Sequence, residues 1–217
     1  MIPPHSPGLQ GLWRFDGDNE GAGVALDASG NGKNGTLIGG ATYANGGLGR
    51  CLNLSVAGVK YVNCTPSPVS GSNPFTLFAR QYSTANVNYS RSLCIGRNVN
   101  SENAGIGQHS TTGRIGAQLP TTYIDSGIDG SDGWHTVMLS YAGGALGNVK
   151  LYVDGLQFGG TRTRTLNIST VLNTCSIGAF GAGAFNYKGY IDEAAIWGRE
   201  LTAADAWRLR LGLGPIL

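Results

Sequence analysis

The stretch Val149-Lys150-Leu151-Tyr152-Val153-Asp154-Gly155-Leu156-Gln157-Phe158 decides the fold class. Val149, Leu151 and Val153 alternate with Lys150 and Tyr152, so one face is apolar and the other wet. That period of two belongs to a half-buried strand. Asp154-Gly155 tolerates positive φ at both positions and closes the pair as a tight hairpin.

The same punctuation recurs outward from this hairpin. Asp-Gly stands at Asp16, Asp129 and Asp132, and Asn-Gly at Asn31, Asn34 and Asn45. Short apolar or alternating runs lie between them, the pattern of an all-β chain. Strands are predicted at Leu12–Phe15, Phe75–Phe78, Leu93–Gly96, Trp134–Tyr141, Cys175–Ala179 and Tyr190–Trp197. A second hairpin is expected from Cys51–Leu54 through residues 55–60 to Tyr61–Cys64. If Leu52 and Leu54 share the core face with Val62 and Cys64, Cys51 and Cys64 point to opposite faces. If residues summing to 115 are opposed, Cys51 faces Cys64, so the disulfide pairing stays open. One helix is predicted near Thr202–Arg210. Thr202 is its N-cap with Asp205 three residues on, Ala203, Ala206, Trp207 and Leu209 follow, and Gly212 and Pro215 end it. Residues 81–130 are polar and weakly patterned, and are expected to hold the longest loops.

Composition sets the limits. Glycine is 36 of 217 residues without a Gly-X-Y period, which excludes collagen, and 41% hydrophobic content supports a real core. Charged residues are only 13% and the net charge is +2, too weak to draw nucleic acid. No run of 18 apolar residues exists, so no membrane insertion is expected. The start, Met1-Ile-Pro-Pro-His-Ser-Pro7, lacks a basic n-region and an apolar h-region. The expectation is a chain starting at its own Met, used without export or with a signal removed. Residues 1–10 read as a Pro-rich arm, in which Pro3, Pro4 and Pro7 prevent a regular ladder and dock on a partner protein. Residues 11–217 read as one domain. Cys51, Cys64, Cys94 and Cys175 show no C-x-x-C spacing. Buried free thiols are the simplest reading.

The order of motifs resembles the laminin G-like jelly rolls of the concanavalin A-like lectin/glucanase superfamily. Leu12-Trp-Arg-Phe-Asp16 and Asp27-Ala-Ser-Gly-Asn-Gly-Lys-Asn-Gly35 carry it first, then Gly49-Arg-Cys-Leu-Asn-Leu54 with Tyr61-Val62, and Phe75-Thr-Leu77. Gly133-Trp-His-Thr-Val137 and Leu151-Tyr-Val-Asp-Gly155 follow. Ser176-Ile-Gly178, Gly189-Tyr-Ile-Asp-Glu193, Ile196-Trp197 and Leu201-Thr-Ala-Ala204 complete it. The resemblance implies two antiparallel sheets packed face to face. The fold class is therefore all-β, a two-sheet antiparallel jelly-roll sandwich with one short C-terminal helix. Two departures stand out. The resemblance usually has a tryptophan about where Arg80 falls, and residues 81–130 match poorly.

Enzymes resembling this superfamily carry Glu-x-Asp-x-x-Glu, which sets two carboxylates on one strand face. The four glutamates here, Glu20, Glu102, Glu193 and Glu200, do not fit that spacing. Asp192 and Glu193 are adjacent and should face opposite ways on a strand. His135 reads as a hydrogen-bonded structural residue. No catalysis is expected. The resemblance implies a structural calcium site in which Asp192 meets the turn of Asp27 and Asn31; the competing reading is that Asp27 and Asn31 cap turns. Arg162 and Arg164 in Thr161-Arg-Thr-Arg-Thr165 share a strand face and suit an anionic partner group, or simply protect an edge. Tyr82, Tyr89 and Tyr123, expected on loops, suit sugar stacking. The expected core is Trp13, Leu54, Val62, Trp134, Val137, Leu151, Val153, Ile177, Ile191 and Trp197.

Two functions follow as expectations. One is a virion surface protein, a phage decoration docking on capsid or tail proteins and binding host glycans. The alternative is an extracellular or cell-surface carbohydrate-binding or adhesion module from a larger secreted protein.

Overall fold

The computed structural model describes residues 1–16, 23–97, 102–109, 113–169, 174–181 and 183–216. Its strands are β1 (Leu9–Trp13), β2 (Val24–Ala25), β3 (Gly35–Ile38), β4 (Thr42–Asn45), β5 (Arg50–Asn53), β6 (Tyr61–Asn63), β7 (Phe75–Ser83) and β8 (Arg91–Gly96). They continue as β9 (Asn103–Gln108), β10 (Arg114–Leu119), β11 (Thr122–Asp129), β12 (His135–Tyr141), β13 (Gly147–Val153), β14 (Leu156–Arg164), β15 (Cys175–Ile177) and β16 (Gly189–Trp197). One helix, α1 (Ala203–Arg210), follows.

The first sheet runs β14-β13-β12-β7-β16-β5-β4, with β1 also on β16; the second runs β11-β10-β9-β8-β15-β6-β3-β2. Among the described residues every strand ladder is antiparallel. The Asp154-Gly155 hairpin forms as its alternation requires, with Val153 opposite Leu156. Asp154 has φ +50° and Gly155 φ +81°, the signs that a two-residue turn matched to strand twist needs. Val149, Leu151 and Val153 point into the core between the sheets.

That main core gathers the inward residues of both sheets, among them Trp13, Leu54, Val62, Val137, Leu151, Val153, Ile177 and Ile191. A second apolar cluster covers the outward face of the first sheet. Phe78, Met138, Ala195 and Trp197 from the sheet meet Ile2, Leu9, Leu201, Ala206 and Leu209 there. Trp197 is therefore buried as expected, but beneath the helix and the chain start rather than between the sheets. Two hydroxyls tie this layer down: Thr76 Oγ1 donates to Arg199 O and Ser140 Oγ to Leu201 O.

The helix starts where the sequence places it. Thr202 Oγ1 accepts from Asp205 N and Asp205 Oδ2 accepts from Thr202 N, a reciprocal cap. Trp207 departs from the expectation. Its ring lies against the Asp154-Gly155 turn rather than in the second cluster, and it is 45% exposed.

Three further expectations are corrected. Residues 1–8 do not project as an arm: Ile2 is buried in the second cluster, and its N–H donates to Glu193 Oε1 at 3.1 Å. Pro3, Pro4 and Pro7 flank that anchor on its own domain, and the Met1 amino group donates to Gly212 O. The Cys51–Cys64 hairpin does not form. β5 pairs β4 and β16 in the first sheet, while β6 pairs β3 and β15 in the second. The intervening residues carry the chain across the sandwich, so Leu52 and Val62 share a core without sharing a ladder. Finally, residues 81–130 are largely strands β8 to β11, not long loops. Their outward positions are small or polar, which hides the alternation.

The four cysteines are free and buried. Extending the β6–β15 register puts Cys64 opposite Cys175, with Cys64 N donating to Cys175 O at 2.8 Å.

Candidate functional site

The outward face of the first sheet is covered by the second cluster at one end and open at the other. At the open end, Arg80 on β7 stands between Thr136 on β12 and Glu193 on β16. Two residues further along β7, Tyr82 pairs with Tyr190. Their rings stack at 6.2 Å and 12°. Trp134, just before β12, adds a third ring 6.0 Å from Tyr82. All three rings are half-buried. Gly47 lets the chain lie against the indole, since a Cβ there would stand 3.3 Å from Trp134 Nε1.

This corrects the core placement of Trp134. Val137, Leu139 and Tyr141 face inward, so Trp134, Thr136 and Met138 carry the opposite parity. Met138 is covered by the second cluster; Trp134 lies beyond its reach. Tyr82 likewise lies on a strand rather than a loop.

Beside Trp134 is a recess of about 220 Å³ lined by Arg80, Trp134, His135, Thr136, Asp154 and Arg210. His135 is clamped, with Nδ1 2.7 Å from Asp154 Oδ2 and Nε2 2.6 Å from Asp132 Oδ1. Burial pushes its imidazole pKa down, but the two carboxylates push it up and prevail. Asp154 also accepts from Thr136 N at 2.9 Å. His135 is thus the structural residue the sequence suggested, and it fixes the recess wall.

A smaller space of about 30 Å³ adjoins Arg80 on its other side, lined by Met1, Arg14, Asp16, Leu48, Arg80, Asp192 and Glu193. Asp192 and Glu193 were expected to face opposite ways. A bulge between Ile191 and Glu193 brings both carboxylates here, a re-aiming that bulges commonly perform. Burial raises the Asp192 carboxyl to about 6, against the pull of Arg80 at 3.9 Å. Among the described residues, Asp192 Oδ2 and Arg80 Nε are buried without hydrogen-bond partners. Glu193 is raised by burial too, and faces Arg14 at 4.0 Å.

The other sequence candidates fall elsewhere. Asp27 Oδ1 accepts from Leu12 N and Ser29 N, and Oδ2 from Lys33 N, at 2.8–3.0 Å. Asn31 donates to Leu9 O. Asp27 thus caps its turn, Asn31 ties that turn to β1, and Asp192 lines the space beside Arg80 with Asp16. Both carboxylate oxygens of Asp27 are taken by backbone N–H groups, and among the described residues no group of three His, Cys, Asp or Glu is placed to hold a metal. Arg162 and Arg164 sit on edge strand β14, opposite Val149 and Gly147, away from the recess. Tyr89, on the turn before β8, meets Tyr123, which lies on strand β11 rather than a loop, with ring centroids 5.7 Å apart. Glu20 lies outside the described residues.

Arg80, Trp134 and Tyr190 were missed as site residues. The parity of Trp134 was a readable signal. The grouping of Arg80 with Asp192 depends on a bulge, which no local pattern announces.

The fold has solved counterparts. Domain 4 of AbnA, a GH43 extracellular arabinanase from Geobacillus stearothermophilus solved with arabinotriose, matches with a TM-score of 0.71 and 18% identity, covering 94% of this chain and 99% of that one. Trypanosoma rangeli sialidase matches with a TM-score of 0.66 and 16% identity over 97% of this chain, which spans only 33% of the sialidase. The CBM40 of Ruminococcus gnavus IT-sialidase, bound to α2,3-sialyllactose, matches with a TM-score of 0.51 and 15% identity, covering 64% of this chain and 84% of that one. At these identities the likeness is one of fold. No curated protein sequence matches. A laminin G-type family model of the concanavalin A-like lectin/glucanases superfamily matches residues 57–206, more than half of the chain, and this protein belongs to that family.

Proposed function

We propose that this chain is a carbohydrate-binding module that works outside the cell and holds a neutral glycan in the recess beside Trp134. The row of half-exposed rings next to that recess carries the proposal. Trp134, Tyr82 and Tyr190 offer flat apolar faces for sugar stacking. Arg80, Arg210 and Thr136 offer donors for hydroxyls. The support from relatives is general: two of the similar solved domains hold oligosaccharides. That favours glycan binding over virion decoration as the working reading.

Binding without turnover is part of the proposal. The paired carboxyls Asp192 and Glu193 border a space of about 30 Å³, room for one or two waters rather than a sugar. The test is a glycan array followed by titration of the best hit. Trp134→Ala should weaken that hit about 10- to 100-fold, as loss of a central aromatic anchor does. Unchanged affinity in a folded Trp134→Ala protein rejects this site.

A further inference from the structure

The outward face of the second sheet carries a different arrangement. Ala104 and Ile106 on β9, and Ile115 and Ala117 on β10, point into the core. Gly105 and Gly116 therefore point outward, and leave a floor without side chains. Arg91 lies on that floor: a Cβ at Gly105 would stand 3.0 Å from Arg91 Cδ. Arg91 is 4% exposed. Its Nη1 donates to Tyr89 O at 2.8 Å and Ser90 O at 3.3 Å. Among the described residues no carboxylate is within ion-pair range of it. Burial lowers the guanidinium to about 10, so it remains a cation at neutral pH.

Aromatic rings wall this cation. Phe185 lies 5.5 Å from Arg91 Cζ, Tyr89 is 5.9 Å from Phe185, and His109 closes on Tyr123 at 5.2 Å. Tyr89 and Phe185 have φ +63° and +53°. Bulky residues seldom accept that region, and such strain gathers at ligand clamps. Ring faces offset only part of a buried charge, and a buried cation without its counter-ion is costly. An anion placed against Arg91 would offset that charge. Among the described residues, Gln118 Oε1, Asn186 Oδ1 and His109 Nδ1 beside it are buried without partners. Two of these are acceptors, which repel a bare anion but welcome hydroxyl donors. A ligand that combines a carboxylate with hydroxyls would answer both features.

We infer that this face binds an acidic sugar, its carboxylate on Arg91 and its ring between Tyr89, Tyr123 and Phe185. The site lies on the sheet opposite the Trp134 recess and does not depend on it. Titrating the full chain with glucuronate, N-acetylneuraminate, glucose and acetate, followed by NMR, tests this. At least one acid should bind about tenfold or more tightly than glucose and acetate, since a charge-assisted contact is lost in one and the ring contacts in the other. The preferred acid identifies the sugar. Arg91→Gln should weaken it about 10- to 100-fold, Tyr123→Ala about tenfold, and Trp134→Ala not at all. If Arg91→Gln does not fold, Tyr123→Ala and Phe185→Ala decide. Neither acid binding, acetate matching both, or unchanged affinity in the ring variants overturns the inference and leaves Arg91 a clasp for the carbonyls of Tyr89 and Ser90.

Discussion

His135 sits between two carboxylates, and that fixes the sign of a pH effect. Its folded pKa is raised above the usual imidazole value by Asp154 and Asp132. The stabilisation is full below about 6.5, the unfolded value, and is lost as pH rises through the folded pKa. Asp154 is lowered by His135 and Thr136 against its burial, so its share is lost on acidification below the ordinary carboxylate range. Urea melts should show stability falling from about pH 6.5 upward, with the slope reduced in His135→Gln. That variant should cost about 1–3 kcal/mol at pH 6 by leaving Asp154 without its partner; equal slopes would mean the clamp is not ionic. Trp134 and Trp13 make a second contrast. Trp13→Ala, in the core, should cost about 3–5 kcal/mol, and the half-exposed Trp134→Ala markedly less. His135 was legible because a histidine beside an apolar strand needs partners. Trp134 was misplaced because its apolar character outweighed its parity with Thr136.

The elements were readable to the extent that their signals are local. The Asp154-Gly155 hairpin and the Thr202 cap each depend on a few consecutive residues, and both formed as expected. Thr202→Ala should cost about 1 kcal/mol, a melting shift of about 2–4 °C for a chain of this size. An unshifted melt would show α1 held by packing alone. β5 and β6 were misjoined because apolar alternation on both sides of a turn-like segment says nothing about which sheet each strand enters. The bulge in β16 was invisible for the same reason: its partner spacing is set by β7, more than 100 residues away in sequence. Without it Asp192 and Glu193 would face opposite ways, and the space beside Arg80 would lose one of its acids. The chain start behaves as an element too. Ile2→Ala should cost about 2–4 kcal/mol, as a buried aliphatic truncation does, and deletion of residues 2–7 should lower the melting temperature clearly. A melt unchanged by that deletion would restore the projecting arm.

For the molecule as a whole, the sandwich was legible and the second apolar layer was not. Alternation identifies one buried face per strand, whereas Phe78, Met138 and Trp197 bury the other face under segments distant in sequence. The burial of all four thiols is a property of this whole packing. A water-soluble thiol reagent should modify none of the four in the native protein and all four in urea; rapid labelling of even one would place it at the surface. The doubly covered sheet also sets a hierarchy of motion. β12, β7 and β16 have strands on both edges and, away from the open end, side chains packed above and below. Their amide protons can meet solvent deuterium only when the entire domain opens, while those of β2 and β3, at the margin of the second sheet, exchange through local fraying. Arg80 and Thr136 are rooted in that slowest-exchanging unit. Their positions should therefore persist through fluctuations that rearrange the turns around them.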